Sequence, residues 1–345
     1  MPTRLSTAAA PARAAIIIPC LNEEAVIGGV VRGMLSDAGP VDLLVIVADG
    51  GSTDCSRQIV GEIAAGDPRV RLLPSPARLQ SAGVNLAAAT LGSDRHWLVR
   101  VDAHADYPAN YVSTLIAEAV RTGADSVVVS MDTRGETAFQ RAAAAAQNSV
   151  LGTGGSAHRL AGPGRWVDHG HHALFRLSAF LAAGGYDETF SHNEDAELDL
   201  RLAGQGARIW LTDALRIGYH PRATPAALAR QYFSYGRGRA RTVLKHRTRL
   251  KLRQMAPLAV APAVALVLLT PLSWMFALPA LAWATACLAF GALLALKTRD
   301  RVVLASGPAA MIMHLAWSAG FLACLAFRPG SPDGADAARG ARAIV

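Results

Sequence analysis

The chain has 345 residues, 52% of them hydrophobic and only 17% charged, with a formal net charge of +8. That apolar excess is high for a water-soluble protein and points to a membrane portion beside a globular one. The basic excess does not mark a nucleic-acid binder, because Arg237, Arg239, Arg241, Lys245, Arg247, Arg249, Lys251 and Arg253 crowd one acid-free stretch directly before the first long apolar run, where cytoplasmic Lys and Arg flank membrane spans.

Residues 1–13 read as a disordered N-terminus without the apolar core of a secretory signal, which leaves the next domain in the cytoplasm. Ala14 to Pro19 reads as a buried strand. Asn22 suits a helix cap, and Val26, Ile27, Val30, Val31, Met34 and Leu35 follow at helical spacing. Strands are expected at 43–47, 70–73, 97–101 and 126–131, alternating with helices at 53–63, 79–89 and 111–120. This alternation predicts an α/β fold with a mostly parallel sheet covered on both faces. In such a sheet ligands bind at the carboxyl ends of the strands. Residues 132–175, with Gly152, Gly154, Gly155, Gly162, Gly164 and Gly170, read as a loop-rich, mobile segment. Helices at 174–183 and 195–203, a short strand at 207–211 and a basic amphipathic helix on the membrane surface at 231–254 complete the first two thirds.

The last third differs in kind. Met255 to Leu296 is a 42-residue run without one charged side chain, and a span needs about 20 apolar residues. The run therefore reads as two membrane helices joined near Pro271 to Pro279, with a third at Val302 to Phe327. The lone His314 in that third helix reads as a helix-contact histidine. Three crossings starting inside would leave a disordered tail, 328–345, on the outer side. Cys20, Cys55, Cys287 and Cys324 form no CxxC pair, which excludes a zinc ribbon; they read as reduced thiols.

Four polar clusters interrupt the apolar pattern. Pro19-Cys-Leu-Asn-Glu-Glu24 follows the first strand; Asn22 and Glu23 suit a cap, and a carboxylate there also suits a ribose or base edge. Asp49-Gly-Gly-Ser-Thr-Asp54 follows the second strand, where its glycines allow close backbone approach, and it also reads as a plain turn. After the fourth strand, Asp102-Ala-His104 places a carboxylate and an imidazole on one side of an extended segment. Those groups suit Mn²⁺ or Mg²⁺ held against a diphosphate, and neutralising that leaving group is what a sugar-nucleotide transfer requires. His192-Asn-Glu194-Asp195 opens a helix; its acids suit capping, and one over the cleft suits a general base. His169-Gly-His171-His172 reads as acceptor-side polar contacts or a plain loop, since one tight cluster does not supply tetrahedral metal geometry.

In this order the four clusters resemble those of family 2 glycosyltransferases of the GT-A (nucleotide-diphospho-sugar transferase) fold, over residues 14–220. With the membrane tail, the D-A-H variant is similar to the glucosyltransferases of succinoglycan-type exopolysaccharide assembly. The resemblance implies that Pro19 and Glu23 line the nucleoside pocket, that Asp49 contacts base or ribose, and that Arg78 and Asn85 face the nucleotide. Asp102 and His104 fall on the family's D-x-D metal and diphosphate motif, and Asp195 falls on its catalytic base. Glu194 stands beside that base, toward acceptor or diphosphate. Arg237, in Gln231-Tyr-Phe-Ser-Tyr-Gly-Arg237, falls where related members place a diphosphate contact, although the spacing of that motif differs here. His220 is a further metal ligand or a plain loop histidine. Two departures stand out: Ala48 replaces the first of two adjacent acids, and His104 replaces the second Asp of D-x-D, where Asp106 could compensate for the lost charge.

The implied organisation is a GT-A domain at 14–230, a juxtamembrane segment at 231–254 and three spans at 255–327. The implied enzyme is a metal-dependent, inverting hexosyltransferase of the cytoplasmic membrane, multi-pass, with its catalytic domain in the cytoplasm. Its donor is a nucleotide-diphosphate sugar, UDP-linked glucose or another hexose, and its acceptor a lipid-linked glycan. Nucleic acid is not a partner; other polysaccharide-assembly proteins are candidates. Two rival readings are a transferase acting on polyprenyl phosphate and a non-catalytic sugar-nucleotide-binding scaffold. No G-x-G-x-x-G follows a strand and no G-x-x-x-x-G-K-S/T occurs, which disfavours a dehydrogenase and a P-loop enzyme. Three spans are too few for a transporter.

Overall fold

The computed structural model describes residues 12–37, 41–92, 94–156, 159, 162–171, 173–250 and 252–327. The expected disorder at the two ends lies outside the described residues, except that Arg13 already opens a strand.

The first strand, β1 (Arg13–Cys20), pairs in parallel with β2 (Asp42–Asp49) on one side and β4 (Trp97–Arg100) on the other; β3 (Val70–Pro74) extends the sheet beyond β2. Past β4 comes β7 (Ala173–Arg176), antiparallel to both β4 and β5 (Ser126–Thr133). β8 (Ile209–Tyr219) runs parallel to β5, and β6 (Arg165–Val167) closes the edge antiparallel to β8. The order is β3-β2-β1-β4-β7-β5-β8-β6. Of the eight strands described, six run in one direction, so the sheet is mostly parallel, with β6 and β7 as its antiparallel members. β7 enters between β4 and β5 as an antiparallel strand, which needs no helical crossover to reach its place.

Continuous apolar runs make the central strands buried on both faces. Ile16 and Ile18 of β1 point into one core and Ile17 into the other, all at 0% exposure. The first core packs against α1 (Ile27–Ser36), α2 (Ser56–Gly66) and α4 (Tyr111–Thr122). The second packs against α3 (Gln80–Ala89), α7 (Leu177–Ala182) and α8 (Glu194–Gly204). The strand order reverses between β1 and β4, and the carboxyl ends at such a reversal are where these sheets hold ligands.

The segment 132–175 is more ordered than expected. It carries α5 (Ala138–Gln147), opened by a capping box between Thr137 and Gln140, then α6 (Val150–Thr153), β6 and β7. Ala143 and Ala146 of α5 pack closely on Ala309, Ala310 and Met313, so alanine supplies its buried face without large apolar side chains. The helix expected at 174–183 begins as strand β7 and becomes helical only from Leu177. The strand expected at 207–211 runs on to Tyr219, past a register shift opposite Val129 and Ser130.

The basic helix α9 (Pro225–His246) starts earlier than expected, with Thr224 accepting from Ala227 N as its cap and Pro225 in its first turn. It ends where Arg247 turns left-handed, at φ 51°. Beyond it lie α10 (Leu252–Leu258), α11 (Val260–Leu266), short 3-10 turns, α12 (Leu278–Thr298) and α13 (Ser306–Ala326). Among the described residues, two stretches are long and apolar enough, by length and composition, to cross a membrane, Trp274–Thr298 and Arg301–Ala326, where three were expected. The first apolar segment, Gln254–Leu269, is shorter, and Pro257 and Pro262 in its helices interrupt backbone bonding. α9 does not lie alone on a surface. It packs along α13 so closely that a Cβ added to Gly236 would sit 2.0 Å from the Trp317 carbonyl oxygen, and one on Gly320 2.0 Å from that of Phe233.

Candidate active site

The loops after β1 and β2 are laced together by their own polar groups. Ser52 Oγ accepts from Asn22 N at 2.9 Å, Ser56 Oγ accepts from Glu23 N at 2.8 Å, and Asn22 Oδ1 accepts from Thr53 N at 2.8 Å. Asn22 adopts φ 58°, a left-handed conformation that asparagine tolerates. Asp49, buried at the end of β2, accepts from Gly51 N and Ser52 N, both at 3.1 Å. The Arg78 side chain lies against Gly51, where an added Cβ would be 3.6 Å from Nη2. Pro19, Glu23, Asp49 and Arg78 thus share the rim at the carboxyl ends of β1 and β2.

Beside that rim β4 ends in Arg100, only 2% exposed. Its guanidinium reaches Asp102 Oδ1 from Nε at 3.2 Å and from Nη2 at 3.1 Å, and Asp195 Oδ1 from Nη1 at 2.5 Å. Glu194 Oε1 lies 3.8 Å from Nη1. Asp102 also accepts from Gln80 Nε2 at 2.6 Å, while its backbone N–H donates to Tyr107 Oη at 2.7 Å. Glu194 and Asp195 open α8, where the helix dipole favours carboxylates. Asn193 before them is left-handed, at φ 68°, and its Nδ2 donates to Thr242 Oγ1 of α9 at 2.8 Å.

One cation among three carboxylates sets the charge states. Burial works against charge on Arg100, but Asp102 and Asp195 outweigh it and keep its pKa well above the ordinary value. Burial would likewise raise Asp195, yet Arg100 and His171 draw it well below the usual carboxylate range. Glu194 moves the other way, pushed up by burial and by the neighbouring Asp195. The pair therefore holds one firmly ionised carboxylate and one that keeps its proton more readily, a separation that suits acid–base chemistry.

Most of the residues expected at the site meet here. Glu23 Oε1 lies 3.3 Å from His104 Nδ1, a contact that raises the imidazole pKa against burial. Arg237 is within electrostatic reach of His192, whose pKa burial, Arg222 and Arg237 together push down to about 4. Asn85 serves the fold instead: Nδ2 donates to Tyr186 O and Glu188 Oε1, and Oδ1 accepts from Tyr186 N. His314 also reads as a packing group, with Trp283 Nε1 at 3.3 Å and Leu151 O at 2.7 Å. His172 lies outside the described residues. Pattern reading missed Arg100, Tyr186, Gln80 and Arg222. The available signal was Arg100 itself, a charge closing the otherwise apolar run Trp97-Leu-Val.

Among the described residues, no three His, Cys, Asp or Glu side chains converge as a metal site. Asp102 faces Arg100 and Gln80, His104 faces Glu23, and His220 Nε2 lies 3.0 Å from Asp106 Oδ2. The donor chemistry nevertheless fits a divalent cation. A bridge between Asp106 and Gly218 draws the 102–106 loop against the end of β8, which puts carboxylate and imidazole donors suited to Mn²⁺ or Mg²⁺ on one rim.

Comparison with known proteins bears on this geometry. The family described as "Glycosyl transferase family 2" matches residues 15–182. The chain is 53% identical over 306 residues to succinoglycan biosynthesis protein ExoA of Rhizobium meliloti (strain 1021), covering 89% of this chain and 93% of that protein. Among solved structures, the mannosyltransferase PcManGT from Pyrobaculum calidifontis, in complex with GDP-Man and Mn²⁺, matches with a TM-score of 0.58 and 19% identity, over 91% of this chain and 87% of that one. That structural likeness shows the GT-A fold.

Proposed function

The chain belongs to glycosyl transferase family 2, and we propose that it is an inverting transferase moving a hexose from a nucleotide diphosphate to a lipid-linked glycan at a membrane, in exopolysaccharide assembly. The observation that carries this reading is the position of Asp195. It stands ionised at the start of α8, joined through Arg100 to Asp102 at the strand ends. In a GT-A crevice the donor's diphosphate belongs at those strand ends, which leaves Asp195 on the acceptor side.

The residues divide the work as follows. Pro19, Glu23, Asp49 and Arg78 bind the nucleoside. Asp195 accepts the proton of the acceptor hydroxyl as that oxygen attacks the anomeric carbon from the face opposite the diphosphate, and configuration inverts. A carboxylate held so low is a weak base, which suits a transfer whose proton leaves late, after the attacking oxygen has begun to bond and has become acidic. Asp102 and His104, with His220 beside them, would hold Mn²⁺ or Mg²⁺, which when bound neutralises the leaving diphosphate. Arg237 and Arg222 add positive charge on the same side. The donor we propose is a UDP-linked sugar, glucose or another hexose. The two apolar stretches and the basic end of α9 keep the cleft at a membrane surface, where a lipid-linked acceptor arrives.

The test is release of free nucleotide diphosphate by detergent-purified protein offered UDP-, GDP- and dTDP-sugars with membrane lipid extract, with and without Mn²⁺. Lipid-dependent release from one donor class is expected. Asp195→Asn should lower it by about 10²-fold or more while the nucleotide still binds. Full-rate release by the variant would remove Asp195 from its role.

A further inference from the structure

The histidine cluster in the 169–171 loop is not used by the chemistry above, and the structure gives it a place. Asp195 and Asp199 lie one turn apart on α8, and such pairs share a helix face. His169 and His171 lie two residues apart on the loop that leads to β7. The two pairs meet: His169 Nδ1 is 2.8 Å from Asp199 Oδ2, and His171 Nδ1 is 3.0 Å from Asp195 Oδ2. The loop is also fixed by its glycine. Gly170 N donates to Asp199 Oδ2 at 3.1 Å, and a Cβ at Gly170 would lie 2.2 Å from the Val128 side chain on β5. Asp199 is 3% exposed, so the His169 contact is an interior anchor.

The two oxygens of Asp195 are then not equivalent. Oδ1 takes Arg100 Nη1 at 2.5 Å and Tyr186 Oη at 2.9 Å, which uses both of its lone pairs. Oδ2 faces His171 Nδ1 at 3.0 Å, a contact that takes one lone pair and leaves Oδ2 a second for a hydroxyl. We propose that His171 is a positioning residue of the transfer, which sets the orientation of Asp195 Oδ2 toward the acceptor, with His169 and Gly170 docking its loop onto α8. This rests on the reading of Asp195 as the base. The groups that surround His171 agree with that role. Asp195 raises its pKa against the effect of burial, Asp102 adds to the rise, and Arg100 opposes it. The His169 ring stands 6.5 Å away.

The test compares His171→Ala, His171→Asn and Asp195→Asn with the wild-type chain. Initial rates are measured against donor concentration, nucleotide binding by calorimetry, and thermal unfolding in the same detergent. His171→Ala should lower kcat roughly 100-fold, the size of effect that misplacing a catalytic group produces, with donor KM and nucleotide affinity unchanged. His171→Asn keeps a side-chain N–H donor and should recover most of that loss. Two outcomes overturn the proposal: His171→Ala turning over within about twofold of wild type while Asp195→Asn is inactive, or both His171 variants losing nucleotide binding and thermal stability together. If Asp195→Asn itself turns over normally, the reading of the base fails and this role fails with it.

Discussion

Glu197, one turn into α8, is at 0% exposure yet charged. It survives there because Arg201 Nη2 lies at 2.6 Å, Lys245 Nζ at 2.6 Å and His246 Nε2 at 2.8 Å. Lys245 also reaches Asp187 at 2.5 Å, so the end of α9 grips both α8 and the loop before it. Removing one member of such a buried group leaves the others uncompensated, at a cost of about 3–5 kcal/mol. Glu197→Gln should lose about that much in denaturant unfolding. Burial would raise the Glu197 pKa, but Arg201, Lys245 and His246 bring it below its ordinary 4.5. A depressed carboxylate stabilises above its unfolded value and loses that contribution as the pH falls through the folded one. The melting temperature should therefore drop on acidification below about 4.5, and Glu197→Gln should flatten that dependence.

At the scale of elements, α9 and α13 carry the join between the α/β domain and the apolar helices. Gly236 and Gly320 let the two backbones touch, so Gly320→Val forces them apart. Overpacking of this kind costs about 1–3 kcal/mol, read as a lower melting temperature in detergent. Gly33→Ala on α1, where nothing lies within 4 Å of the added Cβ, should leave stability unchanged or slightly higher. Elements were legible in the sequence wherever burial had to be apolar on both faces: β1, β2 and β5 announce themselves as Ile- and Val-rich runs. α5 did not, because Ala143 and Ala146 bury their face without the large side chains that mark a helical period. β7 did not, because four residues flowing directly into α7 share one apolar stretch with it. The site divided along the same line. Its motif loops are polar interruptions of apolar strands and were visible, whereas the meeting of Arg100, His171 and Asp195 joins residues far apart in the chain through strand order that no local pattern contains.

For the whole molecule the question is what the charged crevice and the apolar helices do together. α9 connects them physically. Its Thr242 accepts from Asn193 beside Asp195, and its Gly236 lies on the Trp317 carbonyl of α13. α12 presents Leu281, Leu288, Leu293 and Leu296 to its surroundings, all at least half exposed, as a lipid-facing helix would. On the proposed reading of Asp195, this link through α9 to the apolar helices suits a lipid-linked acceptor. The measurement that tests this most directly is transfer of radiolabelled sugar from its nucleotide donor into solvent-extractable lipid by the purified chain in liposomes carrying membrane lipid extract, with Asp195→Asn in parallel. Label is expected in the lipid phase for the wild-type chain and lost from it in the variant despite retained donor binding. Label appearing only as free sugar, or entering lipid equally in the variant, would contradict it.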